Sequence, residues 1–254
     1  MKIKAMTDVG LVRKINEDSF TTVEAEKYCY GIVADGMGGH LAGEVASAMA
    51  VHIIREYISE HMSNELDRFQ IKELLCRAFR YANDRIYEYS CENESVMGMG
   101  TTATLCMIKD GELLYAHVGD SRAYAIGKDT ITQLTRDHSY VQELVKLGMI
   151  TPEQAKRHPN RNQITRAMGV EPDVRVDSGV SKYKGETILL SSDGLFGEIE
   201  DEEIKDIINQ YGADATEKLV KLALDRGGRD NITAIILENG SQISVKGEVE
   251  NDQC

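Results

Sequence analysis

The chain has 254 residues, with 29 Lys and Arg against 42 Asp and Glu and a formal net charge of −13. A chain this long buries enough surface to fold without a disulfide or structural metal. So acidic a balance excludes non-specific binding to nucleic acid or an anionic membrane, both of which need a basic face. No run of about 20 apolar residues occurs, and residues 1–6 lack a signal-peptide core, so a cytoplasmic protein without stable membrane insertion is expected. Cys29, Cys76, Cys91, Cys106 and Cys254 are odd in number and widely spaced, which reads as isolated thiols and not as a disulfide framework or zinc site.

In chain order, the first apolar run of strand length is 28–34. Two helical stripes follow. Residues 43–62 carry Val45, Met49, Ile53, Ile54, Tyr57 and Ile58 on one face, and residues 71–89 carry Leu74, Leu75, Ala78, Phe79, Ala82 and Ile86. Strand-like runs come next at 101–108, 113–118 and 123–126, then a short helix at 139–147. The polar stretch 146–171, with Arg157, His158, Arg161 and Arg166, is expected to form a flap on the rim. A strand at 187–190, a helix at 217–224 and a strand at 232–237 complete the pattern.

Several strand runs are apolar on successive residues and must be covered on both faces. The helices cluster instead of alternating with strands, which favours an α+β layered sandwich. One domain over 1–238 is expected, with a polar tail at 239–254.

Some carboxylates stand where an apolar strand meets a turn: Asp35 before Gly36, Asp120 after Val118-Gly119, Asp193 before Gly194, and Asp230 before Asn231. Glu17 and Asp18 form a fifth place, just before Ser19-Phe20-Thr21-Thr22-Val23. Any one of these could be an ordinary turn former. Five together suggest convergence, because strand ends lie side by side. Converged carboxylates repel unless a cation intervenes, and an all-oxygen set without thiolate suits Mg²⁺ or Mn²⁺.

The ordered motifs resemble those of the metal-dependent protein phosphatases, the PPM or protein phosphatase 2C type. They are Thr7-Asp8-Val9-Gly10 with Arg13, Asn16, Glu17 and Asp18; Val33-Ala34-Asp35-Gly36-Met37-Gly38-Gly39-His40; Gly100-Thr101-Thr102; Val118-Gly119-Asp120-Ser121-Arg122; Ser192-Asp193-Gly194-Leu195; and Arg229-Asp230-Asn231-Ile232-Thr233. The chain is most similar to the bacterial stand-alone members that reverse Hanks-type serine/threonine kinases.

The resemblance implies a four-layer αββα sandwich, with two central antiparallel sheets flanked by helices. It implies two Mn²⁺ or Mg²⁺ ions per chain, with Asp35 bridging them, the Gly36 carbonyl on one, and Asp193 and Asp230 completing the other. Glu17 and Asp18 would orient bound waters, with Thr102 and Asn231 as supporting residues. A bridging hydroxide would attack the phosphoester directly, since paired ions about 4 Å apart acidify water.

Arg13 is the candidate phosphate clamp, because a guanidinium matches two phosphate oxygens and stays charged. His40 is the candidate general acid or, alternatively, a structural histidine, since Met37 occupies the position where eukaryotic members carry theirs. A weak third ion would use Asp120 with Asp193, mostly through water, because Gly197 stands where many relatives carry a carboxylate.

The implied partners are phosphorylated proteins, among them a serine/threonine kinase, acted on by a monomer. The competing reading is a catalytically weak phosphoprotein-binding regulator of the same fold. Gly98-Met99-Gly100 only loosely matches a dinucleotide fingerprint, and it leads into a strand where that motif needs a helix.

Overall fold

A computed structural model of the chain describes residues 1–38 and 42–239. Three apolar clusters separate four layers. The first sheet has the order β1 (Lys2–Asp8), β11 (Ile232–Glu238), β10 (Thr187–Ser191), β7 (Arg122–Ile126) and β8 (Ile131–Gln133). The second runs β2 (Asp18–Glu24), β3 (Tyr28–Met37), β5 (Ala103–Lys109), β6 (Glu112–Val118) and β9 (Asp177–Lys182), with the short β4 (Gly100–Thr101) also paired to β3. All the pairings are antiparallel.

The doubly apolar strands have a direct explanation. In β10, Ile188 and Leu190 point between the sheets with Val33, Cys106, Ile235 and Leu237, while the intervening Leu189 faces the helices. Two-residue alternation thus fills both faces. Outside the second sheet lie α1 (Ala42–His61) and α2 (Arg68–Glu92), whose Ala46, Ile54, Ile58, Leu75 and Phe79 pack with Ile32, Leu105 and Met107. Helix α2 starts where a capping box allows it: the Asp67 carboxylate accepts from the Phe69 and Gln70 amides, and the Gln70 side chain accepts from the Asp67 amide. Outside the first sheet lie α6 (Asp201–Tyr211) and α7 (Ala215–Asp225), packed through Ile204, Ile208, Leu219 and Val220. The αββα sandwich expected from the motifs is the fold.

The chain also forms elements that the apolar runs do not announce. Strands β1, β2, β8 and β9 are polar edge or near-edge strands half open to solvent, so no continuous apolar run marks them. Helix α6 opens with three acidic residues and buries only Ile204 and Ile208.

Residues 139–168 leave the sheets as an excursion containing α3 (Tyr140–Lys146) and α4 (Pro152–Ala155), closed at its base by isolated bridges Ser139–Ile164 and Thr101–Met168. Cys29, Cys76 and Cys106 are buried thiols and Cys91 is exposed, all free. His40, Cys254 and, apart from Asn239, the expected polar tail lie outside the described residues.

Candidate metal centre

Antiparallel pairing carries the five acidic strand ends to one end of the sandwich. Asp18 at the start of β2 lies directly across from Asp35 near the end of β3. Strand β10 ends as β11 begins, so Asp193, at the start of the short helix α5 (Asp193–Phe196), neighbours Asp230. Strand β7 begins beside the end of β10, with Ser191 opposite Arg122, which brings in Asp120. The register of two sheets makes the cluster, and the loops only tune it.

Specific supports hold Asp18 by its carboxylate and fix the turns that carry the others. Asp18 is only 7% exposed. Its Oδ2 accepts from the Ser192 and Thr233 hydroxyls, both at 2.6 Å. Behind Thr233 the chain of donors continues through the Thr7 hydroxyl at 2.8 Å to the Asn16 amide at 2.9 Å.

Asn231 is fully engaged. Its carbonyl oxygen accepts the Glu17 amide at 2.8 Å, and its NH₂ donates to the Val9 and Ile15 carbonyls, both at 2.9 Å. It thereby staples the loop bearing Arg13 to the start of β11. The Thr102 hydroxyl accepts the Asp35 amide at 2.8 Å and meets the Ser121 hydroxyl at 2.7 Å, joining the turns that carry Asp35 and Asp120. At Gly36 the backbone of another element comes so close that a Cβ would lie 2.6 Å from the Glu17 carbonyl and closer still to that of Gly43. Only glycine fits there.

The electrostatics are those of a cation site. Burial, followed by mutual repulsion, raises Asp35 well above its ordinary value, with Asp18, Asp193, Asp120 and Asp230 all contributing. Burial also lifts Asp18 to about 7, against the hydrogen bonds from Ser192 and Thr233. Asp120 rises to about 8 and Asp193 to about 6, again chiefly by burial, then by neighbouring carboxylates. Two oxygens in this region, Asp18 Oδ1 and Glu17 Oε1, are buried without a hydrogen-bond partner. A buried, unpaired oxygen is costly unless something positive meets it.

As placed, no trio of His, Cys, Asp or Glu side chains among the described residues is gathered tightly enough to hold an ion unaided. Asp230 is drawn instead to Arg13, Nη2 to Oδ2 at 2.7 Å. The donor set still fits a hard divalent ion, which takes oxygen ligands and keeps several waters. Asp35, Asp193, Asp230, Asp120 and the Gly36 carbonyl could hold such ions.

Arg13 has its side chain 48% exposed and is held cationic first by its bond to Asp230 and then by the surrounding carboxylates. Gly197 offers no carboxylate, and the neighbouring Glu198 is engaged by Arg229 at 3.2 Å. Any third ion near Asp120 and Asp193 therefore lacks that donor. The motif pattern undervalues Arg122. Its guanidinium grips both oxygens of Asp137 at 2.7–3.1 Å and lies 3.8 Å over the Phe196 ring, locking the start of β7 to α5. The Gly-Asp-Ser-Arg run marks the residue but not its partners, which come from distant segments.

The sequence pattern of the protein phosphatase 2C family matches residues 12–226. Protein phosphatase PhpP of Streptococcus pneumoniae is 39% identical over 242 residues, covering 93% of this chain and 97% of that one. The crystal structure of serine/threonine phosphatase Stp1 from Staphylococcus aureus superposes with a TM-score of 0.88 at 36% identity, covering 94% of each chain. The catalytic domain of the serine/threonine protein phosphatase PstP, solved in complex with 2 manganese ions, gives a TM-score of 0.80 at 34% identity, covering 93% of this chain and 97% of that one. Fold and acid cluster together are those of a metal-dependent phosphatase. The chain belongs to the protein phosphatase 2C family.

Proposed function

We propose that this chain, a metal-dependent serine/threonine protein phosphatase, hydrolyses phosphoserine and phosphothreonine at the acid end of the sandwich. Asp35, Asp193, Asp230 and the Gly36 carbonyl are the proposed ligands of two Mn²⁺ or Mg²⁺ ions, with Asp120 and Asp193 toward a weaker third. The observation that carries this reading is the convergence of five carboxylates, whose repulsion a divalent cation relieves while leaving them ionised, beside two buried oxygens without partners. When bound, such ions supply positive charge to the phosphoryl group and a water acidic enough to attack near neutral pH.

The chain's own residues do the rest. Arg13 leaves Asp230 to take two phosphate oxygens. Asp18 and Glu17 present their unpaired oxygens to hold attacking water in place. Thr102 and Asn231 fix the turns on which Asp35 and Glu17 ride. His40 is the proposed donor of a proton to the departing Ser or Thr oxygen.

The physiological substrates are proposed to include a serine/threonine kinase that this phosphatase opposes, with the enzyme acting as a cytoplasmic monomer. No helix among the described residues is long and apolar enough to cross a membrane. Residues 146–171 are proposed as a flap on the rim of the fold, and 239–254 as an appended tail to the 1–238 domain.

The test is hydrolysis of p-nitrophenyl phosphate and a phosphothreonine peptide with Mn²⁺, with and without EDTA, beside Asp193→Ala. Activity with Mn²⁺ that vanishes in EDTA and in the variant is expected. Turnover surviving both would overturn the metal mechanism, and no turnover with any metal would make the chain a phosphoprotein-binding regulator.

Arg13→Ala is expected to raise KM for the phosphopeptide about tenfold or more, the scale of a lost charged hydrogen bond. Steady-state kinetics at saturating Mn²⁺ check it, and an unchanged KM removes Arg13 from the phosphate site.

A further inference from the structure

His138 lies outside the acid cluster and is 5% exposed, yet it holds the residue just before Asp120 by both of its peptide groups. The Gly119 amide donates to His138 Nδ1 at 2.9 Å. The His138 amide in turn donates to the Gly119 carbonyl at 2.7 Å. An amide N–H can only donate, so Nδ1 carries the lone pair and the ring proton sits on Nε2. From there it faces Asp177 Oδ2 at 3.2 Å. Arg166 Nη1, itself only a donor, lies 2.8 Å from that nitrogen without bonding it in this tautomer, and donates instead to the other Asp177 oxygen at 2.8 Å and to the Arg175 carbonyl at 3.1 Å. The Thr165 amide donates to the His138 carbonyl at 2.8 Å.

Gly119 has φ +110°, and a Cβ there would fall 2.5 Å from the Thr102 side chain. No bulkier residue could stiffen this point, and a glycine left alone rotates readily. Its amide belongs to the peptide plane before it, and its carbonyl belongs to the plane that carries Asp120. Bonding both freezes the two rotations that aim Asp120. The same histidine is tied to the returning arm of the 139–168 excursion by the Thr165 amide, and Arg166 on that arm holds the Asp177 that its Nε2 faces.

We propose that His138 is a positioning residue that aims Asp120 at the metal cluster and couples it to that arm. The inference rests on the reading of Asp120 as a ligand of the weaker third ion.

The test is calorimetric titration with Mn²⁺ of the wild type, Asp120→Asn, His138→Gln, His138→Asn and the Asp120→Asn/His138→Gln double variant, with a melting temperature for each. Asn at 138 keeps an acceptor near the Nδ1 position, whereas Gln moves it to the Nε2 position. Asp120→Asn and His138→Gln are expected to weaken the weakest Mn²⁺ binding step about tenfold or more, as loss of residues supporting a metal site does. His138→Asn should restore most of it. The double variant should bind no more weakly than Asp120→Asn alone, because the two act through one group.

Weakening by Asp120→Asn with unchanged binding in His138→Gln overturns the positioning role and leaves the ligand reading standing. A lower melting temperature in His138→Gln without a binding change does the same. Unchanged binding in Asp120→Asn overturns the ligand reading itself, and this inference with it. If His138→Gln does not fold, Asp177→Asn reads the same link from the Nε2 side. Weakened Mn²⁺ binding supports the role there, and unchanged binding overturns it.

Discussion

Asp35→Asn is expected to abolish turnover and at the same time to raise the melting temperature of the metal-free protein. Burial first, and then the neighbouring Asp18, Asp193, Asp120 and Asp230, push its proton affinity upward. Replacing it removes the cost of burying this carboxyl among its neighbours, whether it is met by charge or by taking up a proton, and disturbs little else, because the hydrogen bonds at this residue run through its backbone to Thr101 and Thr102. For a chain of this size, each kcal/mol of that cost relieved raises the Tm by about 2–4 °C. Turnover should fall by roughly 10³-fold or more, at least the scale of deleting one preorganised electrostatic contact. Differential scanning fluorimetry in EDTA and phosphatase assays in Mn²⁺ check the two halves separately. A variant that is inactive and also less stable without metal would show that Asp35 is structural. The opposed signs are the signature of a site whose strain exists for function.

The second large effect concerns pH. Asp18, Asp120 and Asp193 have folded values near 7, 8 and 6 against an ordinary 3.8, each raised first by burial. Between those limits the folded chain holds protons that the unfolded chain has released. Stability of the metal-free protein therefore falls as pH rises, by about 1.4 kcal/mol per unit for each proton still held.

The buried His117 opposes this at lower pH. Burial depresses it to about 3 from 6.5, so its contribution is present above 6.5 and is lost as pH falls. Asp193 has released its proton above about 6, so the window in which Asp18 and Asp120 act without that opposition runs from 6.5 to about 8. In EDTA the Tm is expected to drop steadily across it. With saturating Mn²⁺ or Mg²⁺ the drop should vanish or reverse, because the ions bind the ionised carboxylates and bind better as protons leave. Identical slopes with and without metal would separate the carboxylate cluster from metal binding.

Much of this centre is legible in the amino-acid sequence. Asp35, Asp120, Asp193 and Asp230 are conspicuous because carboxylates seldom stop apolar strands so regularly, and their order with Arg13 and Asn231 carries the family resemblance. The motif string does not supply the partners. Ser192 and Thr233 read as ordinary strand-end residues until both hydroxyls meet at Asp18 Oδ2. Asn231 reads as a support, but its role as a staple depends on Val9 and Ile15, more than 200 positions away. No motif points to His138, and its partner Asp177 lies on a polar edge strand that no apolar pattern reveals.

The order of residues alone dictates the layered class, since strands apolar on both faces need cover on both sides and the helical stripes provide it. It also dictates which residue types the site uses, because that chemistry is local to each side chain. Which oxygens are left unpaired, that Arg13 rests on Asp230, and how Asp120 is aimed emerge only in the folded chain. Those properties depend on distances of a few ångströms between segments far apart in the chain. Strand register sets those distances, and no single segment encodes them.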